Sequence, residues 1–330
     1  MRLDKHIYRN SVVTLAALLL LLTALAGCMR QGGPQGTKAT DALSADRARA
    51  GFPRELKDSS GEVLKISTRP SRIVSQTLGT DEILLAICDP SRIIAVSIFA
   101  RDPKYSPVIE QARAIPHQVT GGAEQILKLN PDLIFVASYS RAETVELLRA
   151  AGAPVFRFAT FNRIDDIKAN IRAVGYAIGE EERAEQLVAR MERELEAVKA
   201  RIPQPHQPPR VLSFSPSGST AGAGTLFDEM VRAAGAINLA AEKGLTGFPK
   251  ISVEQLLQWQ PDFIVTGGEA GEFDEARLRL LQNPTVAASA AVKAGRIIVI
   301  DRRYFLSVSH FITRAIGDLA KGLYGGEQWP

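Results

Sequence analysis

The sequence predicts an α/β protein of two lobes, each with a parallel-type central sheet flanked by helices, joined by one long helix. Three observations predict it. Short apolar β runs alternate with amphipathic helices over residues 59–178 and again over 203–330, the order that gives parallel sheets. The segment EQILKLNPDLI at 124–134 returns as EQLLQWQPDFI at 254–264, with six of 11 positions identical and an offset of 130 residues. Between the copies lies EEERAEQLVARMERELEAVKARI, residues 180–202, which contains no Gly or Pro.

The elements follow in chain order. Arg2, Lys5 and Arg9 precede an apolar run from Val12 to Leu25, then Leu25-Ala26-Gly27-Cys28. A positive start, a short apolar core and small residues before a cut site predict a secretory signal over residues 1–27, too short for a membrane span. The Leu-Ala-Gly-Cys ending resembles the bacterial lipobox, in which the Cys becomes the first mature residue and carries lipid. Residues 28–58 are rich in Gly, Ala, Gln, Thr and Arg and read as a flexible tether.

The first lobe, 59–178, opens with strand Ile73-Val74 and a helix expected to be capped by Thr80, with Asp81 and Glu82 in its first turn. Strand Ile93–Val96 and a helix near 107–114 come next. In the first repeat copy a short helix ends at Pro131, Asp132 follows, and Leu133–Val136 is a strand. Helix 143–151, strand 155–158 and helix 165–178 complete the lobe. In the connecting helix, 179–202, Leu187, Met191, Leu195, Val198 and Ile202 share one face. Glutamates open it and Lys199 and Arg201 close it, the order the helix dipole favours. Pro203–Pro209, PQPHQPP, stops it. The second lobe, 203–330, reads as strand 211–214, the loop SPSGSTAGAG, helix 225–234, the second repeat copy, helices 274–281 and 284–293, strand 297–300 and a final helix 311–323.

Composition excludes several classes. Net charge is +4, falling to +2 without the leader, and no basic cluster interleaves with aromatics, so no nucleic-acid partner is expected. Cys28 and Cys88 are the two cysteines; with Cys28 lipidated, no intrachain disulfide is available. A hydrophobic content of 45% is enough to bury two cores. The motifs GxxxxGK[ST], GxSxG, HExxH and CxxC do not occur. His6 lies in the leader and His206 in the proline-rich linker, which leaves His117 and His310. No resident metal, cofactor or catalytic residue is expected.

Parallel sheets bind ligands outside the carboxyl ends of their strands. The loops there carry Gln76 and Thr77; Phe99, Arg101 and Tyr105; Tyr139 and Arg141; Phe161 and Arg163; Ser215; Phe248; and Arg302, Arg303, Tyr304 and Phe305. Aromatic faces beside guanidinium groups suit a large, partly flat, partly anionic ligand.

RIVSQTLGTDEILLAI at 72–87, the duplicated EQ-L---PD-I segments, GAGTLFDEMVRAAGAINLA at 222–240 and the long middle helix together resemble the periplasmic-binding-protein family that serves ABC importers of ferric siderophores, haem and cobalamin. The resemblance covers about residues 70–323 and implies a rigid helical spacer with little hinge motion. It also implies one Glu on each lobe that docks on permease arginines, carried over here to Glu124 and Glu254. Phe248-Pro249 stands where cobalamin-binding members have an aromatic-Pro pair, but Gln118 and its neighbours replace the Trp those members place before the first repeat. Arg302-Arg303 makes the last strand-end loop basic; haem-type members use an axial Tyr or His, a part that Tyr105 or Tyr139 could serve. The expectation is an exported lipoprotein, held to a membrane by lipid on Cys28 and facing the periplasm or cell exterior. It captures a metal chelate (ferric siderophore, corrinoid or haem), hands it to an ABC permease and its ATPase, and performs no chemistry. A membrane-tethered ligand sensor is the alternative, and a hydrolase on the same scaffold is a third.

Overall fold

The computed structural model describes residues 51–158, 160–203 and 207–325. The expectations for the 1–27 leader, Cys28 and His206 fall outside these residues.

β-Branched runs form the strands. In the first lobe β3 (Ile73–Ser75), β4 (Ile93–Ser97), β5 (His117–Val119), β6 (Leu133–Ala137) and β7 (Val155–Phe158) make a parallel sheet in the order β5-β4-β3-β6-β7. In the second lobe β8 (Arg210–Ser213), β9 (Ile237–Asn238), β10 (Phe263–Gly268) and β11 (Ile297–Asp301) make a separate parallel sheet in the order β11-β10-β8-β9. The first lobe's helices are α1 (Leu78–Ile87), α2 (Ile109–Arg113), α3 (Ala123–Leu127), α4 (Ala142–Ala150) and α5 (Ile164–Ile178), followed by the connecting helix α6 (Glu181–Arg201). The second lobe adds α7 (Leu226–Ala233), α8 (Leu239–Glu242), α9 (Val253–Trp259), α10 (Phe273–Leu281), α11 (Pro284–Ala287), α12 (Ala290–Lys293), α13 (Arg302–Phe305) and α14 (Ile312–Tyr324).

The repeat copies do the same work in each lobe. Asn130 and Gln260 take the left-handed conformation, with φ of 46° and 48°, and turn the chain into Pro131 and Pro261. Asp132 then accepts from the backbone N–H of Ser71 at 2.7 Å and of Arg72 at 2.9 Å, holding the entry to β3. Asp262 accepts from the N–H of Arg210 at 2.8 Å and fixes the start of β8. The shared Pro-Asp is therefore a strand-registration device.

α6 has 21 residues, a rod of about 32 Å. Gly179, at φ +74°, supplies the left-handed turn from α5 into it. Its first turn is pinned to the first lobe: Glu180 meets Arg92 at 2.8 Å and Arg69 at 2.5 Å, and Glu181 meets Arg54 at 2.5 Å. Leu187, Met191 and Val198 enter one apolar cluster with Ile83, Leu84 and Ile178 of the first lobe and Ile316 and Leu319 of the second. A single core thus runs through both lobes and the rod, and two further clusters fill the outer faces of the sheets.

Four features differ from the sequence reading. A hairpin of β1 (Arg54–Lys57) and β2 (Val63–Ile66) stands where the tether was expected to run on to residue 58; buried Arg54 and Leu56 anchor it. Thr77, not Thr80, caps α1, its hydroxyl accepting from the Thr80 N–H. The 284–293 helix is two short helices, and the basic Arg302-Arg303 loop is a helical turn. Cys88 is free and buried.

Candidate functional site

The carboxyl ends of the two sheets approach each other. Lys104, after β4, reaches Glu269, after β10, at 3.5 Å, and Glu269 also holds Arg302 at 3.2 Å. Glu82, in the second turn of α1 after β3, accepts from the hydroxyls of Ser307 and Ser309 on the turn after α13.

Exposed rings stand on the loops after β4 and β6 in the first lobe and between α8 and α9 in the second. Phe99 is 48% exposed, Tyr139 60% and Phe248 77%, with Ile98 and Leu306 exposed beside them. Solvent-facing apolar groups thus stand on both lobes. Each first-lobe ring is backed by another. Phe99 stands edge-on to Tyr105 with centroids 5.9 Å apart, and Tyr139 leans on Phe161 at 5.7 Å. Phe161 is itself buried and also meets Phe158, so it supports Tyr139 from beneath. Burial of its hydroxyl end holds the Tyr139 phenol above its ordinary pKa; a hydrogen bond with Thr77 offsets part of this, and Asp81 and Glu82 add to it.

The polar candidates divide into committed and available groups. Arg101 donates from Nε to the Ala112 carbonyl at 3.1 Å and from its other end to the Ile115 carbonyl, which ties down the segment that closes α2. Arg303 is chelated by Asp301, with contacts of 3.1 and 2.5 Å, and lies over the Tyr304 ring. Ser215 is used locally, accepting from the Ser219 N–H at 3.0 Å. Thr77 is the α1 cap, and Tyr304 lines a groove along the rod, 6.0 Å from Phe311. Gln76 donates to the Gly121 carbonyl at 3.1 Å, while its Oε1 is buried without a partner. Arg141 is exposed at the start of α4.

The sequence reading placed Asp81 and Glu82 in the first turn of a helix capped by Thr80 and gave them no role at the site. Both are buried. The available signal was α1 itself: Leu78, Ile83, Leu84 and Ile87 leave it no polar face for two acids. His117 begins β5, at the sheet edge away from the loops, and His310 lies on the turn before α14. Among the described residues no group of three or more His, Cys, Asp or Glu is placed to hold a metal.

Glu124 and Glu254 are both exposed, each in the first turn of the helix that precedes its lobe's repeat strand. α3 and α9 pack on their own lobes through Ile126 with Ile134 and Leu256 with Ile264. Glu124 pairs with Lys128 at 2.7 Å, and Ser252 bonds the Glu254 carboxylate; each contact holds its acid below the ordinary carboxylate range.

Comparison with known proteins agrees with this architecture. A family model described as periplasmic binding protein matches residues 73–304. A "Cobalamin-binding protein" of Halobacterium salinarum is 26% identical over 326 residues, covering 97% of this chain and 85% of that relative. An "Uncharacterized ABC transporter substrate-binding lipoprotein YvrC" of Bacillus subtilis is 28% identical over 259 residues, covering 76% of this chain and 79% of that one. Among solved structures, the apo form of the periplasmic heme-binding protein RhuT from Roseiflexus sp. RS-1 is 31% identical. It aligns with a TM-score of 0.67 over 77% of this chain and 98% of that chain.

Proposed function

This chain belongs to the periplasmic binding protein family, and we propose that it captures a tetrapyrrole-type metal chelate between its lobes and delivers it to an ABC permease. The reading is supported by relatives named for binding cobalamin and heme and by one named an ABC transporter substrate-binding lipoprotein. The observation that carries the ligand class is the set of three solvent-facing rings, Phe99, Tyr139 and Phe248, distributed over both lobes. Flat rings suit a macrocycle that binds by stacking.

A corrinoid, whose metal needs no protein ligand, fits these loops best. Among the described residues the first-lobe strand-end loops carry no histidine. Tyr139 also supports haem as the second reading, through its hydroxyl. Binding by shape and stacking requires no chemistry of the protein. Among the described residues no helix is long and apolar enough to cross a membrane; the anchor in this reading is lipid on Cys28, after removal of residues 1–27, with a tether leading to the β1–β2 hairpin. Glu124 and Glu254 are the docking points for the permease.

Titration with cobalamin, haem and a ferric siderophore, followed by absorption, tests the ligand. Cobalamin is expected to bind the wild type, and Phe248→Ala to lose at least about tenfold in affinity. Binding of the siderophore alone, or none of the three, overturns the ligand class. In cells, Glu124→Ala with Glu254→Ala should leave affinity intact and abolish uptake. Intact uptake removes the docking assignment and favours a sensor.

A further inference from the structure

Glu82 is 1% exposed, although it carries a carboxyl and no cation bonds it among the contacts of the described residues. Its Oε2 accepts the Ser307 hydroxyl at 3.1 Å and the Ser309 hydroxyl, and those two hydroxyls lie 3.0 Å apart. Both serines belong to the second lobe, so the contact joins the lobes directly. Its Oε1 is buried with no hydrogen-bond partner. The backbones are tightly apposed here: a Cβ on Gly79 would stand 2.6 Å from Val308 Cγ2.

The same carboxyl lines a groove of ≈790 Å³ bounded by α1, the 107–111 segment, the rod and α14. On the other side stands Tyr139, whose phenol is pushed up first by burial and further by Asp81 and Glu82. The ionisable groups around Glu82 are few. Asp81 stands on its own helix and accepts from the Ser97 N–H at 3.1 Å and the Ser97 hydroxyl at 2.5 Å. Tyr139 comes from the β6 loop. The rod contributes Arg190 and Glu194, paired with each other at 2.8 Å. The turn before α14 contributes His310, whose Nδ1 is buried and unpartnered. On α14, Arg314 pairs with Asp318 at 3.3 Å, and Lys321 and, from the rod, Arg201 complete the charged lining.

We propose that Glu82 and the Ser307–Ser309 turn form a proton-held clasp between the lobes, locked while the carboxyl is neutral and released when its proton leaves through the groove. A neutral acid needs little solvation, whereas a buried carboxylate beside Asp81, held by two hydroxyls alone, is costly. Burial pushes Glu82 up to about 8; the Ser309 and Ser307 hydroxyls pull against that, and Asp81 adds to it. Because the folded value lies above the unfolded 4.5, the clasp's contribution is complete below 4.5 and is lost as pH rises through 8. The expected consequence is a looser cleft under alkaline conditions.

The clasp rests on the two-lobe architecture and is read in ligand-free protein, so its failure is distinguishable from failure of the ligand reading. Hydrogen exchange of residues 78–84 and 304–312, corrected for the intrinsic pH dependence of amide chemistry, is measured from pH 6 to 9. In the wild type it should rise by at least about tenfold, the equivalent of one pKa unit. Glu82→Gln, which keeps the shape and cannot ionise, should stay at the level seen at pH 6. Should Glu82→Gln fail to fold, Ser307→Ala removes one donor to the ionised form and should move the rise to higher pH. A flat wild-type profile, a Glu82→Gln profile that tracks the wild type, or no shift in Ser307→Ala overturns the clasp.

Discussion

At the scale of single residues, what separates a ligand contact from a structural one is where its polar or apolar surface is already spent. Arg101 and Phe99 are two positions apart on one 3-10 turn, Ile98–Arg101, and the sequence assigned both to the ligand. Phe99 turns half its surface to solvent, whereas the Arg101 guanidinium is used up on the Ala112 and Ile115 carbonyls. Arg101→Ala should therefore cost on the order of 2 kcal/mol of stability and leave ligand affinity unchanged, while Phe99→Ala should do the reverse. Urea unfolding and ligand titration of the two variants check this. Residue types were legible in advance, but their hydrogen-bond partners were not. Arg101 meets carbonyls 11 and 14 residues away, and Glu82 meets serines 225 and 227 residues away. No local pattern encodes such distances.

At the scale of elements, local rules succeeded where the stabilising interaction is itself local. The apolar stripe of α6, its acidic start and its proline stop gave its bounds to within two residues at the start and one at the end. The two Pro-Asp turns were recognisable because each is a short backbone device. The β1–β2 hairpin was not. RELK reads as polar linker, and its burial depends on Arg54 reaching Glu181, 127 residues on. The rod's two faces should respond differently to truncation. Met191 is buried in the shared core, so Met191→Ala should cost about 2–5 kcal/mol. Arg193 is exposed on the opposite face, and Arg193→Ala should stay within about 0.5 kcal/mol. Chemical denaturation of both distinguishes a core strut from a surface helix.

At the scale of the whole molecule, the duplicated grammar was legible because each lobe repeats one strand-entry device, and the two copies do lie in separate sheets. How the lobes meet was not legible, because a repeat specifies its own half and says nothing of the seam. The seam is made by Glu82 with its serines, by Lys104 with Glu269, and by apolar side chains of the rod. That last contact has a calorimetric consequence. Since Ile83, Met191 and Ile316 belong to one cluster, neither half retains a closed interior once the other melts. Scanning calorimetry should record one endotherm, with van't Hoff and calorimetric enthalpies equal, where independently folding halves give two. Evolution of such a molecule is then constrained as a unit: a destabilising change in either half lowers the melting point of both.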